Sequence, residues 1–223
     1  MSTAAVPYSA LPEPMLARSG RLPARGAWAY EVKWDGFRAI VSTEGPLQVR
    51  SRRGWNMAPE LDFLSQLPVP ATLDGELVAF DADGKPDFPR VCERMLHRHI
   101  QIPVTFVIFD VLSVDGRDLR RQPYSERRRI LERLALAGPQ WQAPQAFEDG
   151  KALWDAVCEH ELEGVVAKRL DEPYRPGERA WVKVKNRSYW RYELERESAI
   201  RIRQRATPER AASDLPPPDL APA

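Results

Sequence analysis

Lys33 closes an apolar, strand-like run that begins at Trp28, and Trp34, Asp35, Gly36, Phe37 and Arg38 follow it directly. A lysine held beside a tight turn is suited to act as a covalent nucleophile. The same residues also fit a simple hairpin tip, since Asp-Gly is a common hairpin signal. Two carboxylates raise a related question. Glu76 lies in Asp74-Gly75-Glu76-Leu77, inside a strong strand pattern, and Glu163 leads into the apolar run Gly164-Val165-Val166-Ala167-Lys168. A carboxylate in an apolar run needs a partner or a metal unless it points outward on an alternating strand. Lys183 and Lys185 alternate with Trp181, Val182 and Val184, so a strand would put both ammonium groups on one face. A phosphate between them is the natural guest, and a solvated edge is the alternative. Phe109 sits in the nearly continuous apolar run 106–112, where spacing favours core and an exposed edge would stack on a planar base. His97 and His99 form an H-x-H with no obvious third ligand. The chain has no GxxxxGK[ST] loop and no GxGxxG after a strand, so a nucleotide would have to be held another way.

The elements that must position these residues are short and mixed. Strands are predicted over 28–33, 37–41, 47–50, 71–80, 104–112, 164–168 and 180–184. Helices are predicted over 59–66, 89–97, 125–135 and 152–160. Several strands follow one another without a helix between them. That pattern predicts an α+β fold, with antiparallel sheets flanked by helices. Residues 1–26, rich in Pro, Ala and Gly, read as an irregular lead-in, and residues 27–187 as the folded domain. Residues 188–205 read as a basic helix or extension, and the proline-rich 206–223 as a disordered tail. Arg120, Arg121, Arg127, Arg128 and Arg129 fit either phosphate-backbone contacts or, the preferred reading, a solvated helix face balanced by Glu126 and Glu132.

With 223 residues, 43% of them hydrophobic, the chain can bury one large or two small cores. Its net charge of +1 means that any nucleic-acid affinity must come from a local patch. Cys92 and Cys158 are the only cysteines and form no CxxC, which favours reduced, mostly buried thiols. No apolar run approaches the roughly 18 residues of a membrane span, and no basic segment leads an apolar one at the start. A soluble, cytoplasmic protein is expected.

The order of the motifs adds more than any one of them. Lys33-x-Asp35-Gly36-x-Arg38, Ser51-Arg52-x-Gly54, Asp74-Gly75-Glu76, Phe109-Asp110-Val111-Leu112, Glu163-Gly164-Val165-Val166-x-Lys168 and Trp181-Val182-Lys183-Val184-Lys185 follow in turn. The series resembles the catalytic domain of the covalent nucleotidyltransferases, with an ATP-grasp-like fold. More closely it resembles the ATP-dependent DNA ligases of bacteria, including the ligase part of the end-joining enzymes. Trp34 and Pro14-Met15-Leu16-Ala17 resemble that branch too, and the resemblance spans residues 14–187.

The resemblance implies a role for each motif. Lys33 would attack the α-phosphate of ATP to give lysyl-AMP, which requires the neutral amine of a group that is ammonium below about pH 10.4. Mg²⁺ (or Mn²⁺), Lys183 and Lys185 would neutralise the phosphates. Glu76 and Glu163 would hold metal, and Glu76 a ribose hydroxyl as well. Arg38 and Arg52 would contact ribose and the nick phosphate. Phe109 would stack on adenine, and Glu31 would read it through its backbone. Lys168 matches the last lysine of its motif. AMP would then pass to the 5′-phosphate of nicked or broken double-stranded DNA, in repair, recombination or replication, in a nucleoid-associated cytoplasmic setting.

The family continues after its fifth motif into a closing OB-fold domain. Residues 186–223 are too few and too proline-rich to build one, so closure is expected from other DNA-repair proteins, from the arginines of 188–205, or not at all. An RNA-ligase or capping-type nucleotidyltransferase is one alternative. A catalytically weak DNA-binding module that needs a partner is the other.

Overall fold

The strands on either side of Lys33 belong to different sheets. In a computed structural model that describes residues 11–97 and 100–193, β2 (Trp28–Val32) and β3 (Phe37–Ser42) flank Lys33 but pair with different neighbours. The hairpin reading of Trp34-Asp35-Gly36 is therefore corrected, because the segment crosses from one sheet to the other. Gly36 is required by a close approach: a Cβ there would lie 2.1 Å from the Leu77 carbonyl oxygen.

The first sheet has four strands in the order β1 (Leu16–Ser19), β10 (Arg179–Lys185), β9 (Gly164–Arg169) and β2. The β1–β10 pair is parallel and the others are antiparallel. Residues 16–19, expected in an irregular lead-in, thus form a sheet strand. Their two exposed C-terminal residues gave little periodic signal. Gly164 faces the same constraint as Gly36, with a Cβ 2.1 Å from the Val184 carbonyl oxygen.

The second sheet runs β4 (Gln48–Ser51), β3, β5 (Ala71–Val78), β6 (Thr105–Val114) and β7 (Arg117–Asp118), with β8 (Trp141–Gln142) parallel to β6. Its long β5–β6 pairing contains two bulges. Asp74 lies opposite Asp110 and Gly75 opposite Ile108, so Phe109 has no partner on β5. A bulge re-aims the extra residue. Ile108 stays in the main core beside Leu77, while Phe109 turns toward Met15, Tyr174 and Trp181.

Three helices cover the sheets: α1 (Phe88–Leu96), α2 (Tyr124–Arg133) and α3 (Gly150–Glu159). Asp149 caps α3 by accepting from the amides of Lys151 and Ala152, a contact worth about 1 kcal/mol. The helix then buries Leu153 and Val157 against Val165, Ala167 and Val182 of the first sheet. Asp87 caps α1 in the same way. The helix expected over 59–66 is instead two 3₁₀ turns, Ala58–Glu60 and Asp62–Gln66. They tuck the fully buried Leu61 and Leu64 under the main core. The α+β expectation stands, with helices outside largely antiparallel sheets.

Residues 1–186 form one unit and 187–223 a second. Within the second, Tyr189 and Trp190 pack with ring centroids 6.1 Å apart. The expectations for 1–10 and 194–223, and the His99 half of the H-x-H, lie outside the described residues. Among the described residues no helix is long and apolar enough to cross a membrane.

Candidate active site

One face of the four-stranded sheet carries the candidate site residues in rows. Lys183 lies opposite Val166, and Val166 opposite Glu31. In the next row Lys185 lies opposite Gly164, whose carbonyl accepts from the Lys33 amide at 2.8 Å. Strand alternation puts Glu31 and Lys33, Val166 and Lys168, and Trp181, Lys183 and Lys185 on this one face. The face floors a cleft of about 470 Å³. Arg38, Glu76 and Phe109 of the second sheet line it, with Arg52, Arg53 and Trp55 from the loop after β4.

Lys33 Nζ donates to Glu163 Oε2 at 2.6 Å, and Lys185 Nζ is 3.3 Å from Glu163 Oε1. Glu163 is thus a buried carboxylate shared by two lysines. Burial raises its pKa, against the opposing pull of Lys33 and Lys185. Lys183 is pushed the other way, by burial first and then by repulsion from Lys33, Lys185 and Arg52. An anion entering here would meet several cations at once.

Glu76 faces Arg38 across the β3–β5 pair. Burial pushes its carboxyl up to about 8, although Arg38 and Lys33 act to lower it. Folding therefore increases its proton binding between pH 4.5 and about 8. Stability that is present at low pH falls as pH rises through that window. In melting curves taken from about pH 5 to 8, Glu76→Gln should flatten the decline seen in the wild-type midpoint. Parallel curves for the two proteins would refute this.

Arg38 is held as a fork. Its Nε and Nη2 donate to Asp74 Oδ1 and Oδ2 at 2.5 and 2.6 Å, and Nη2 also reaches the Met15 carbonyl at 3.2 Å. The Tyr174 hydroxyl donates to Asp74 Oδ2 at 2.6 Å. The guanidinium lies 4.5 Å from the Phe109 ring centroid and 5.1 Å from that of Trp181. Sequence reasoning gave no role to Met15, Tyr174 or the Asp74 carboxylate, which set the orientation of Arg38. Tyr174 falls in no periodic run, so only its contact in the fold reveals it.

The Glu31 side chain, buried in the floor of the cleft, is already engaged. Its two oxygens meet Lys168 Nζ, at 2.6 Å, and the Tyr124 hydroxyl. Lys168 Nζ also donates to the Phe109 carbonyl at 3.1 Å and lies 4.5 Å from the Phe109 ring centroid. Burial lowers the Lys168 pKa, partly offset by Glu31. This buried chain joins α2 and β2 to the bulged residue of β6. Trp181, on the same wall, keeps a buried Nε1–H with no hydrogen-bond partner among the described residues.

The arginines of α2 split in two. Arg127 is fully buried against Asp110, with Nε to Oδ1 at 2.8 Å and Nη2 to Oδ2 at 2.9 Å. Arg128 is also buried, bonded to Glu132 at 2.8 Å and to the Pro144 carbonyl. The solvated-face reading is corrected for both. It describes Arg129, which is exposed and pairs with Glu126.

Comparison with known proteins fits this geometry. Residues 14–185 match the family described as ATP dependent DNA ligase domain. The multifunctional non-homologous end joining protein LigD of Mycolicibacterium smegmatis is 41% identical over 182 residues, covering 77% of this chain and 23% of that protein. The SPbeta prophage-derived DNA ligase-like protein LigB of Bacillus subtilis is 30% identical over 183 residues, covering 79% and 68%. The crystal structure of the ligase domain from M. tuberculosis LigD superposes with a TM-score of 0.68 at 37% identity, over 78% of this chain and 59% of that one. The chain thus spans about a quarter of the LigD proteins it matches. On the match over residues 14–185 and the prophage relative it largely covers, the chain belongs to the ATP-dependent DNA ligase domain family.

Proposed function

We propose that this chain adenylates itself at Lys33 and passes the AMP to the 5′-phosphate of a nicked or broken DNA duplex. The observation that carries the reading is Lys33 itself, on the floor of a cleft and 2.6 Å from a buried carboxylate. Lys33 Nζ loses a proton to solvent and attacks the α-phosphorus of ATP. The Nζ–P bond forms as the bond to the bridging oxygen breaks, and pyrophosphate leaves. Lys183 and Lys185 hold the phosphate charge, and Phe109 stacks on adenine. The Glu31 side chain is engaged by Lys168 and Tyr124, which leaves the backbone of β2 to read the base edge. The 5′-phosphate of DNA, guided by Arg38 and Arg52, then takes AMP from Nζ, and a 3′-hydroxyl displaces AMP to seal the strand.

Among the described residues no group of three or more His, Cys, Asp or Glu is placed to hold a metal. That suits Mg²⁺ (or Mn²⁺) bound mainly through substrate phosphates, for which one or two carboxylates suffice. Glu76 and Glu163 are the two that would hold it. When bound it would supply charge neutralisation on the phosphate oxygens.

The test is intact mass before and after ATP and Mg²⁺, followed by addition of 5′-phosphorylated nicked DNA. We expect an AMP adduct that disappears as adenylated DNA forms. An adduct with GTP, or transfer only to RNA nicks, would replace this reading with the RNA-ligase or capping type. Salt-sensitive DNA binding with no adduct would leave only a binding module.

A further inference from the structure

We infer that Trp55 is a stacking platform for the terminal base pair at the DNA end, a reading that rests on the DNA-end substrate proposed above. A single exposed hydrophobic residue is ordinary on a protein surface. Trp55 stands apart in three ways.

It is 60% exposed yet held on a fixed tip. The Ser51 amide donates to the Trp55 carbonyl at 2.9 Å, and the Trp55 amide donates to Ser51 Oγ at 2.8 Å. Arg50 bridges Asn56, and the buried Met57 donates its amide to Val49 at 2.9 Å, so the loop folds back on β4. Gly54, at φ +86°, makes the turn that presents the indole. A loop backbone fixed before binding loses little freedom on contact.

The tip is also basic. Arg52 and Arg53 directly precede Gly54 and are exposed, and among the described residues no carboxylate pairs with either. Finally, Trp55, Arg52 and Arg53 line the same cleft as Lys33 and Glu76.

The chemistry of a strand end matches this surface. A 5′-phosphorylated terminal nucleotide offers a dianionic phosphate to two guanidiniums and to Lys33. Its base pair lacks a covalent stacking neighbour on one side, and that open π-face can take an indole. Aromatic stacking accepts any base, so Trp55 would recognise the discontinuity rather than the sequence. The arginines would pull in the phosphate, and the indole would set how far the end enters the cleft.

The experiment uses the full chain and a blunt, 5′-phosphorylated duplex with 2-aminopurine at the 5′-terminal nucleotide. Binding of wild-type protein should quench the 2-aminopurine. Trp55→Ala and Trp55→Leu should lose the quench and bind the duplex end about tenfold more weakly. Trp55→Phe should restore most of both, because it keeps a ring. Leu retains apolar bulk without a π-face, so it separates stacking from simple burial. Melting midpoints identify any variant that has lost its fold. If Trp55→Ala quenches and binds like wild type while the protein still adenylates DNA, the Trp55 inference alone is overturned. If wild-type protein forms its AMP adduct but neither binds nor adenylates any DNA end, the DNA-end reading falls and takes this one with it.

Discussion

Lys33→Arg should reduce AMP adduct formation by more than about 10⁴-fold, the scale expected when a covalent nucleophile is removed. Arginine is chosen because it separates chemistry from structure. It keeps the positive charge and can still pair with Glu163, and the Lys33 side chain is only partly buried, at 21% exposure. The guanidinium stays protonated at any workable pH and offers no free lone pair to phosphorus. The fold should survive, with a melting midpoint near that of wild type, while the adduct vanishes. Sealing of a nick that already carries AMP does not require the Nζ–P bond, so it should be retained far better than sealing from ATP. Peptide mapping is the decisive control, because Lys183 and Lys185 lie in the same cluster. An adduct of wild-type occupancy in Lys33→Arg, mapped to either of them, would move the nucleophile and overturn the assignment.

The residues of this site were largely legible in the sequence, and their partners were not. Lys33, Glu76, Glu163, Lys183 and Lys185 stood out because each places a charge in an apolar, alternating run. Alternating or continuous apolar runs also located most strands, including β6 and β10, to within a residue or two. Such patterning says nothing about which strands pair, so β2 and β3 read as a hairpin although they lie in separate sheets. It also fails wherever the period breaks. On a regular strand Ile108 and Asp110 would share a face, and Phe109 would face the other way alone. The bulge instead puts Phe109 and Asp110 together on the side of Arg38 and Arg127. Asp35-Gly36 and Glu163-Gly164 were readable as motifs. Their physical reason, a carbonyl oxygen 2.1 Å from where a Cβ would sit, arises only once distant strands meet. Tyr174 and Met15 are tied to Asp74 and Arg38 across long stretches of chain, and no local pattern encodes such contacts.

Arg127 shows the largest consequence of that gap. A residue on a solvated helix face would tolerate replacement within about 0.5 kcal/mol. Arg127 instead has no exposed side-chain surface, and neither has its partner Asp110. Its remaining nitrogen donates to the Gln122 carbonyl at 2.7 Å and to the Glu172 carbonyl at 3.1 Å. Arg127→Met should therefore leave a buried carboxylate without its counter-charge and release two loop carbonyls. Removing one member of such a pair costs about 3–5 kcal/mol. For a unit of this size that lowers the melting midpoint by roughly 6–20 °C. Arg127→Met combined with Asp110→Leu should recover part of the loss, because replacing both charges with apolar groups is often close to neutral. The damage should also reach the nucleotide. Tyr124 begins the same helix and bonds Glu31, which bonds Lys168, which bonds the Phe109 carbonyl. ATP affinity measured well below the midpoint should weaken along with stability, while an exposed control, Arg129→Met, should change neither. An Arg127→Met protein that melts within about 2 °C of wild type would mean that solvent reaches Asp110, and that the helix is not what fixes Phe109.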